Sequence, residues 1–307
     1  MYVSIGGIEQ YLEIGGDAPG HPILLFLHGG PGGTSLPAAE TWRAWEDHFT
    51  VVHWDQRGAS RTFLKNGVEG CGPLTADRMV ADGIEVAKFL IMHLGKPNVL
   101  LVGHSWGSAL GILMLRRQPE LFSAFVGTGQ FINWRKADNY RYANVLKLAQ
   151  QTENSDALEA MHQIGPPPYL ERSKFRVLLE WAEELADGDG DPVLPFFPKK
   201  PTNLTPEDFP AMDQGMRYTR EQLFSELSNL DIPSLGHEFT VPMFCFQGTE
   251  DPSTPCELAE QYFKTVEAPH KDFVRFEGCH HFVVFNKPDE FLRELRLRVR
   301  PLISPTA

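Results

Sequence analysis

The sequence predicts an α/β protein: a mostly parallel, doubly wound sheet interrupted by a mainly helical insertion. Three observations predict it. Short, wholly apolar runs end in glycine, helix-like segments alternate with them, and this rhythm stops after Gln130 and resumes near Thr240. Short apolar runs with β-branched residues read as strands buried on both faces, as in a parallel sheet. Alternation of such strands with helices is the pattern of a doubly wound fold.

The elements follow in order. "ILLFLHGG" (23–30), "FTVVHWDQRG" (49–58) and "PNVLLVGHS" (97–105) each read as a buried strand running into a tight loop. Between the last two, Val80, Ile84, Ala87, Ile91 and Leu94 recur at helical spacing, with Thr75 as N-cap and Gly95 as C-cap. "WGSALGILMLRRQPE" is a second helix stopped by Pro119, and "FSAFVGTG" is another strand. From Gln130 to about Pro233 the chain reads as helices and loops, the loops marked by "IGPPPY", "DGDGDP" and "LPFFPKKP". "TVPMFCFQG" and "KDFVRFEG" then restore the strand rhythm before a terminal helix, "KPDEFLRELRLRVRPL". The economical division is one α/β core of residues 1–129 and 236–307, with a helical insertion of residues 130–235.

Composition narrows the function. The 307 residues carry 40 acidic and 28 basic side chains, a net charge of −12, with no basic run, so a nucleic-acid partner is not expected. No segment reaches the roughly 18 apolar residues of a membrane span, and the N-terminus lacks a basic, apolar leader pattern. Cys71, Cys245, Cys256 and Cys279 show no paired spacing, which suits free thiols in a reducing compartment rather than a zinc site. The expectation is a cytoplasmic protein, a monomer or small homo-oligomer, acting on a small molecule with no metal or organic cofactor.

The chemistry centres on "GHSWG" (103–107). A G-x-S-x-G stretch between a strand and a helix places a serine on a sharp turn, its hydroxyl exposed beside backbone N–H groups that can hold an oxyanion. Ser105 is the candidate nucleophile and Trp106 N–H one oxyanion donor. "HGGPGG" (28–33), after the first buried strand, supplies the second, Gly30 N–H, because a run of glycines lets backbone approach substrate closely. A serine hydroxyl needs a base and the base an orienting acid. Asp251, or Glu250 beside it, follows one late strand; His280 and His281 follow another. Each lies where open α/β sheets place their ligands.

With these residues the chain resembles the α/β-hydrolase superfamily, in its proline iminopeptidase-like branch. The matching motifs are "HGGPGG", "WDQRG", "GHSWGS", "GTEDPSTP" and "EGCHHF", with an insertion where that family carries its cap. The resemblance implies an α/β-hydrolase fold, Ser105 as nucleophile, Asp251 as acid and a histidine of "EGCHHF" as base. It points to His281, because an apolar residue follows it and a Pro-acidic pair, "KPDE", comes later. It also implies that Asp55 and Arg57 of "WDQRG" brace loops. Dehalogenases and epoxide hydrolases of this fold need an aspartate where Ser105 stands.

Specificity is where the chain departs from that branch. Its aminopeptidases bind a free amine through cap glutamates, one of them in a Trp-x-x-Trp-Glu stretch that is missing here. The nearest segment, "LLEWAEELAD" with Glu180, Trp181, Glu183 and Glu184, reads as an amphipathic helix with a solvated acidic face. The cap is instead rich in aromatics: Phe131, Trp134, Tyr140, Tyr142, Tyr169, Phe196 and Phe197. Gly29, Pro31, Trp134, Tyr169 and Trp181 are expected to line the substrate pocket. The expected function is an esterase or lactonase using an acyl-enzyme, ahead of N-terminal proline removal and of a non-catalytic binding protein on the same fold.

Overall fold

A computed structural model of the chain describes residues 1–169, 171–185 and 201–303. Its sheet has eight strands among the described residues, in the order β1-β2-β4-β3-β5-β6-β7-β8. These are β1 (Tyr2–Ile5), β2 (Ile8–Gly15), β3 (Ile23–Leu27), β4 (Thr50–Asp55), β5 (Val99–His104), β6 (Phe122–Thr128), β7 (Met243–Gly248) and β8 (Lys271–Phe276). From β4 to β8 every neighbouring pair is parallel; β1 and β2 pair antiparallel with each other, and β2 with β4.

The central strands are mostly hydrophobic because both of their faces are covered. In β3, Leu25 and Leu27 enter one core cluster while Leu24 and Phe26 enter the other. β7 repeats this, with Met243 and Cys245 on one side and Phe244 and Phe246 on the other. The first cluster is covered by α2 (Ala76–Leu94), α3 (Trp106–Arg117) and α8 (Cys256–Thr265), the second by Trp42, Trp45 and the C-terminal helices. The caps of α2 are Thr75, which accepts from Arg78 N–H, and Gly95, in the left-handed conformation.

Two elements lie outside the sequence expectation. The first is the β1–β2 hairpin, whose period is hidden because β2 turns Gln10 inward where an apolar residue would mark a strand. Gln10 is satisfied there, accepting from Trp54 Nε1 and donating to Asp82 Oδ2, both at 2.8 Å. The second is helix α1 (Ser60–Gly70), which is broken at Gly67.

Between β6 and β7 lie α4 (Trp134–Gln151), α5 (Ser155–Ile164), α6 (Arg172–Glu184) and α7 (Asp208–Asn229). The two ends of this insertion meet: Asn133 Nδ2 donates to Asp231 Oδ1 at 2.7 Å, and Ile232 N–H to Ile132 O at 2.9 Å. Helices α4 to α6 share a small core of Val145, Met161, Tyr169, Leu178 and Ala182. Helix α7 returns to the sheet domain, where Asp208 pairs with Arg61 at 2.8 Å and Thr219 Oγ1 donates to Gly58 O at 2.9 Å. Phe196, Phe197, the "DGDGDP" segment and "LPFFPKK" of "LPFFPKKP" lie outside the described residues. Among the described residues no helix is long and apolar enough to cross a membrane.

Candidate active site

The loops after β3, β5, β7 and the segment after β8 all open at the C-terminal edge of the sheet. Between them and the insertion lies a cavity of about 860 Å³.

Ser105 joins β5 to α3 with φ 55° and ψ −120°, a conformation an L-residue adopts only when its surroundings impose it. Its flanking glycines are steric necessities. A Cβ on Gly107 would lie 1.9 Å from Leu27 O, and one on Gly103 would lie 2.4 Å from Gly107 O. Packing of α3 against β3 and β5 therefore sets the turn, and the turn presents Ser105 to the cavity. Trp106, first residue of α3, holds one of the N–H groups that a helix start leaves without an intrahelical partner.

The glycine loop after β3 is fixed by His28. Gln56 N–H donates to its Nε2 at 3.2 Å, so Nδ1 carries the proton and donates to Gly29 O at 2.9 Å. Gln56 also receives the Trp106 indole N–H at 3.1 Å and donates to His28 O at 3.2 Å. One buried glutamine thus locks the glycine loop to the nucleophile helix. Gly29, Gly30 and Pro31 line the cavity, and the Gly29 backbone packs directly on Ser105. Asp55 braces the same region, receiving hydrogen bonds from Thr34 Oγ1 and Arg61 N–H, whereas Arg57 is buried against Asp82 farther off.

Asp251 is buried and accepts from five donors. Ser253 N–H and Thr254 N–H reach Oδ1 at 2.8 and 2.7 Å. Thr254 Oγ1, Gln247 Nε2 and His281 Nδ1 reach Oδ2 at 2.7, 3.0 and 2.9 Å. Burial alone would push its carboxyl up, but the facing imidazole and the Thr254 donors outweigh it and hold the group below its ordinary value. Glu250, by contrast, is exposed.

Of the two histidines, His281 takes Asp251 and lines the cavity. His280 is buried, and its Nε2 has no hydrogen-bond partner among the described residues. The His281 ring rests on that of His104, centroids 4.7 Å apart, and His104 Nε2 lies 3.0 Å from His281 O. Ser105 Oγ and the His281 imidazole face the same cavity without a hydrogen bond between them; such bonds commonly tighten only when substrate binds.

The insertion supplies the opposite wall. Trp134 lines it. Tyr169 and Trp181 do not, and the expectation for them is corrected. The phase of α6 decides it: Arg172, Phe175, Arg176 and Leu179 form the cavity face, while Leu178, Trp181 and Ala182 face the insertion's own core. Tyr169 packs there too, its hydroxyl donating to Gly165 O at 2.6 Å.

Sequence reasoning missed several residues here. Arg141 is held by buried Asp138 and donates to Pro252 O and Ser253 O at 2.9 and 2.8 Å. Its i, i+3 spacing from Asp138 was the available signal. Met212, Met216 and Phe224 of α7, and Phe282 and Phe285 after β8, also reach the cavity. Among the described residues no group of His, Cys, Asp or Glu is arranged to hold a metal ion.

Comparison with known proteins places this geometry. Residues 22–288 match the family model for the alpha/beta hydrolase fold. A curated relative, the probable aminopeptidase YbaC of Bacillus subtilis, is 28% identical over 97% of this chain and 95% of its own. The crystal structure of a proline iminopeptidase-related protein of Thermus thermophilus superposes with a TM-score of 0.66 at 20% identity, covering 99% of this chain and 97% of that one. The proline iminopeptidase of Mycobacterium smegmatis gives 0.65 at 18% identity, over 98% of both chains. The chain belongs to the α/β-hydrolase family.

Proposed function

We propose that the protein is a serine hydrolase that cleaves a small-molecule carboxylic ester or lactone through an acyl-enzyme. The observation that carries this is Ser105, held on a strained turn and facing the same cavity as His281, whose Nδ1 is held by buried Asp251. His281 Nε2 takes the proton of Ser105 Oγ as Oγ bonds to the substrate carbonyl carbon. The Gly30 and Trp106 N–H groups receive the negative charge that gathers on the carbonyl oxygen. His281 then gives its proton to the departing alkoxide, and the acyl group remains on Ser105. Water, deprotonated by His281, attacks that acyl carbon; the acyl–Oγ bond breaks, His281 returns the proton to Ser105 Oγ, and the acid is freed. Asp251 fixes the tautomer of His281 and stabilises its cation.

The ester reading is favoured over N-terminal proline removal by the cavity wall. An aminopeptidase must hold a protonated amine, which in a partly dry pocket calls for a fixed carboxylate. Among the described lining residues there is no aspartate or glutamate, and much of the wall is aromatic or aliphatic. The relatives named for aminopeptidase and proline iminopeptidase activity support that second reading. Both are tested on one sample with p-nitrophenyl esters, lactones and proline naphthylamide. Release of proline amide without comparable ester cleavage would reverse the ranking. Covalent labelling by a fluorophosphonate separates either from a non-catalytic binding protein.

A further inference from the structure

We propose that the arginines of the insertion make this pocket selective for substrates that carry an anionic group, a carboxylate or phosphate, at the end remote from the scissile carbonyl. This rests on the serine-hydrolase reading above and names its substrate class.

The cavity wall sorts by charge. Its charged side chains among the described residues are Arg141, Arg172, Arg176 and Arg220, with no lysine and no carboxylate. That inverts the balance of a chain whose net charge is −12. Arg141 is committed, tied to Asp138 and to two loop carbonyls. Arg172 and Arg176 lie toward solvent one turn apart on α6, while Arg220 on α7 has interactions of its own.

Arg176 pairs with Glu180 at 3.2 Å, but both groups are well exposed, and such pairs contribute little. The acidic neighbour of Arg172, Glu171, pairs with Lys174 instead, and among the described residues no carboxylate lies within ion-pair distance of Arg172. Two like charges at i, i+4 repel unless an anion lies near them. The guanidinium fork suits the planar oxygens of carboxylate and phosphate. Beneath these arginines the wall is apolar, with Phe131, Trp134, Phe175, Leu179 and Phe224. A ligand that fits both zones has an apolar body and an anionic end. A cationic end meets only like charge among the described lining residues.

The test is calorimetric titration of the Ser105→Ala protein, which leaves esters intact, with monomethyl suberate, dimethyl suberate and methyl 8-aminooctanoate. The three share a chain and an ester and differ in the charge of the far end. Monomethyl suberate is expected to bind about fivefold more tightly than the dimethyl ester, a margin set by the modest worth of exposed ion pairs, and the amine most weakly. The advantage should vanish when Arg172→Gln and Arg176→Gln are added, and shrink in high salt. Equal binding of the acid and the diester, including no detectable binding of either, overturns the proposal. So does an advantage that survives the double substitution, or a preference for the amine. Failure of the serine-hydrolase reading is seen separately, as a wild-type protein that no fluorophosphonate labels.

Discussion

Arg141 Nη2 donates to the carbonyl oxygen of Ser253 at 2.8 Å, which ties a helix of the insertion to the loop that carries Asp251. The same guanidinium binds Pro252 O and the buried carboxylate of Asp138. Any movement of α4 is therefore felt two residues from the proposed orienting acid. Arg141→Ala should destabilise the protein by about 3 kcal/mol, because it leaves Asp138 buried and unpaired. The double variant Asp138→Asn, Arg141→Met should regain most of that stability in urea melts. It should not regain kcat, since the two loop carbonyls still lack their donor. Recovery of kcat together with stability would show that Arg141 does no more than neutralise Asp138.

Ser105→Ala should keep the fold and lose turnover by at least about four orders of magnitude. The hydroxyl is not part of the packing that sets the turn; Gly103, Gly107 and the strand beneath them are. An unaltered urea midpoint, or a slightly higher one, is expected because the strain at Ser105 is backbone strain. Retention of about a tenth of wild-type activity would remove Ser105 from the nucleophile's role.

His281→Ala should match Ser105→Ala, because nucleophile and base act as a unit. His280→Ala should cost far less in kcat. His281 Nδ1 lies 2.9 Å from Asp251 Oδ2, whereas His280 Nε2 makes no hydrogen bond among the described residues. The two variants measured side by side decide it, and the opposite ranking would mean that His280 swings into the site during turnover.

Much of this was legible in the sequence, for physical reasons. β3, β5 and β7 are buried on both faces, so their runs are apolar until their last residues, where Gly, His and Gln mark the end of the sheet in β5 and β7. The loops of the candidate site begin at strand ends, so Ser105 could be read from its motif, chain order offered Asp251 or Glu250 and His280 or His281, and the family resemblance pointed to Asp251 and His281. What stayed hidden depended on orientation. Gln10 faces inward on β2 because Trp54 and Asp82 satisfy it, and no periodicity reports that. Trp181 and Phe175 sit on one helix with similar apolarity, and only the packing of α6 on α4 and α5 decides which meets the cavity. The Arg141 tie joins residues more than a hundred positions apart, which no local pattern encodes.

Unfolding should take up protons between about pH 4 and pH 6.5. His28, His53 and His104 are fully enclosed, and burial lowers their pKa values from 6.5 to about 4, 4 and 3. Folded, they stay neutral down to those values; unfolded, they protonate below about 6.5. The unfolded chain then binds up to three more protons, so stability present above pH 6.5 is lost as the pH falls. Asp55 opposes this. Burial raises its pKa from 3.8 to about 7, so between those values the folded protein holds a proton that the unfolded chain has released. Its contribution to stability is full below the lower value and lost as pH rises through the upper. Three histidines against one aspartate leave a net uptake of about two protons near pH 5. Urea melts across pH 5 to 7 should therefore show stability rising with pH. Asp55→Asn, which removes the opposing group, should steepen the rise toward about three protons. A flatter profile in that variant, or wild-type stability that falls from pH 5 to 6.5, would mean that these groups are hydrated in the folded protein and not enclosed as the structure places them.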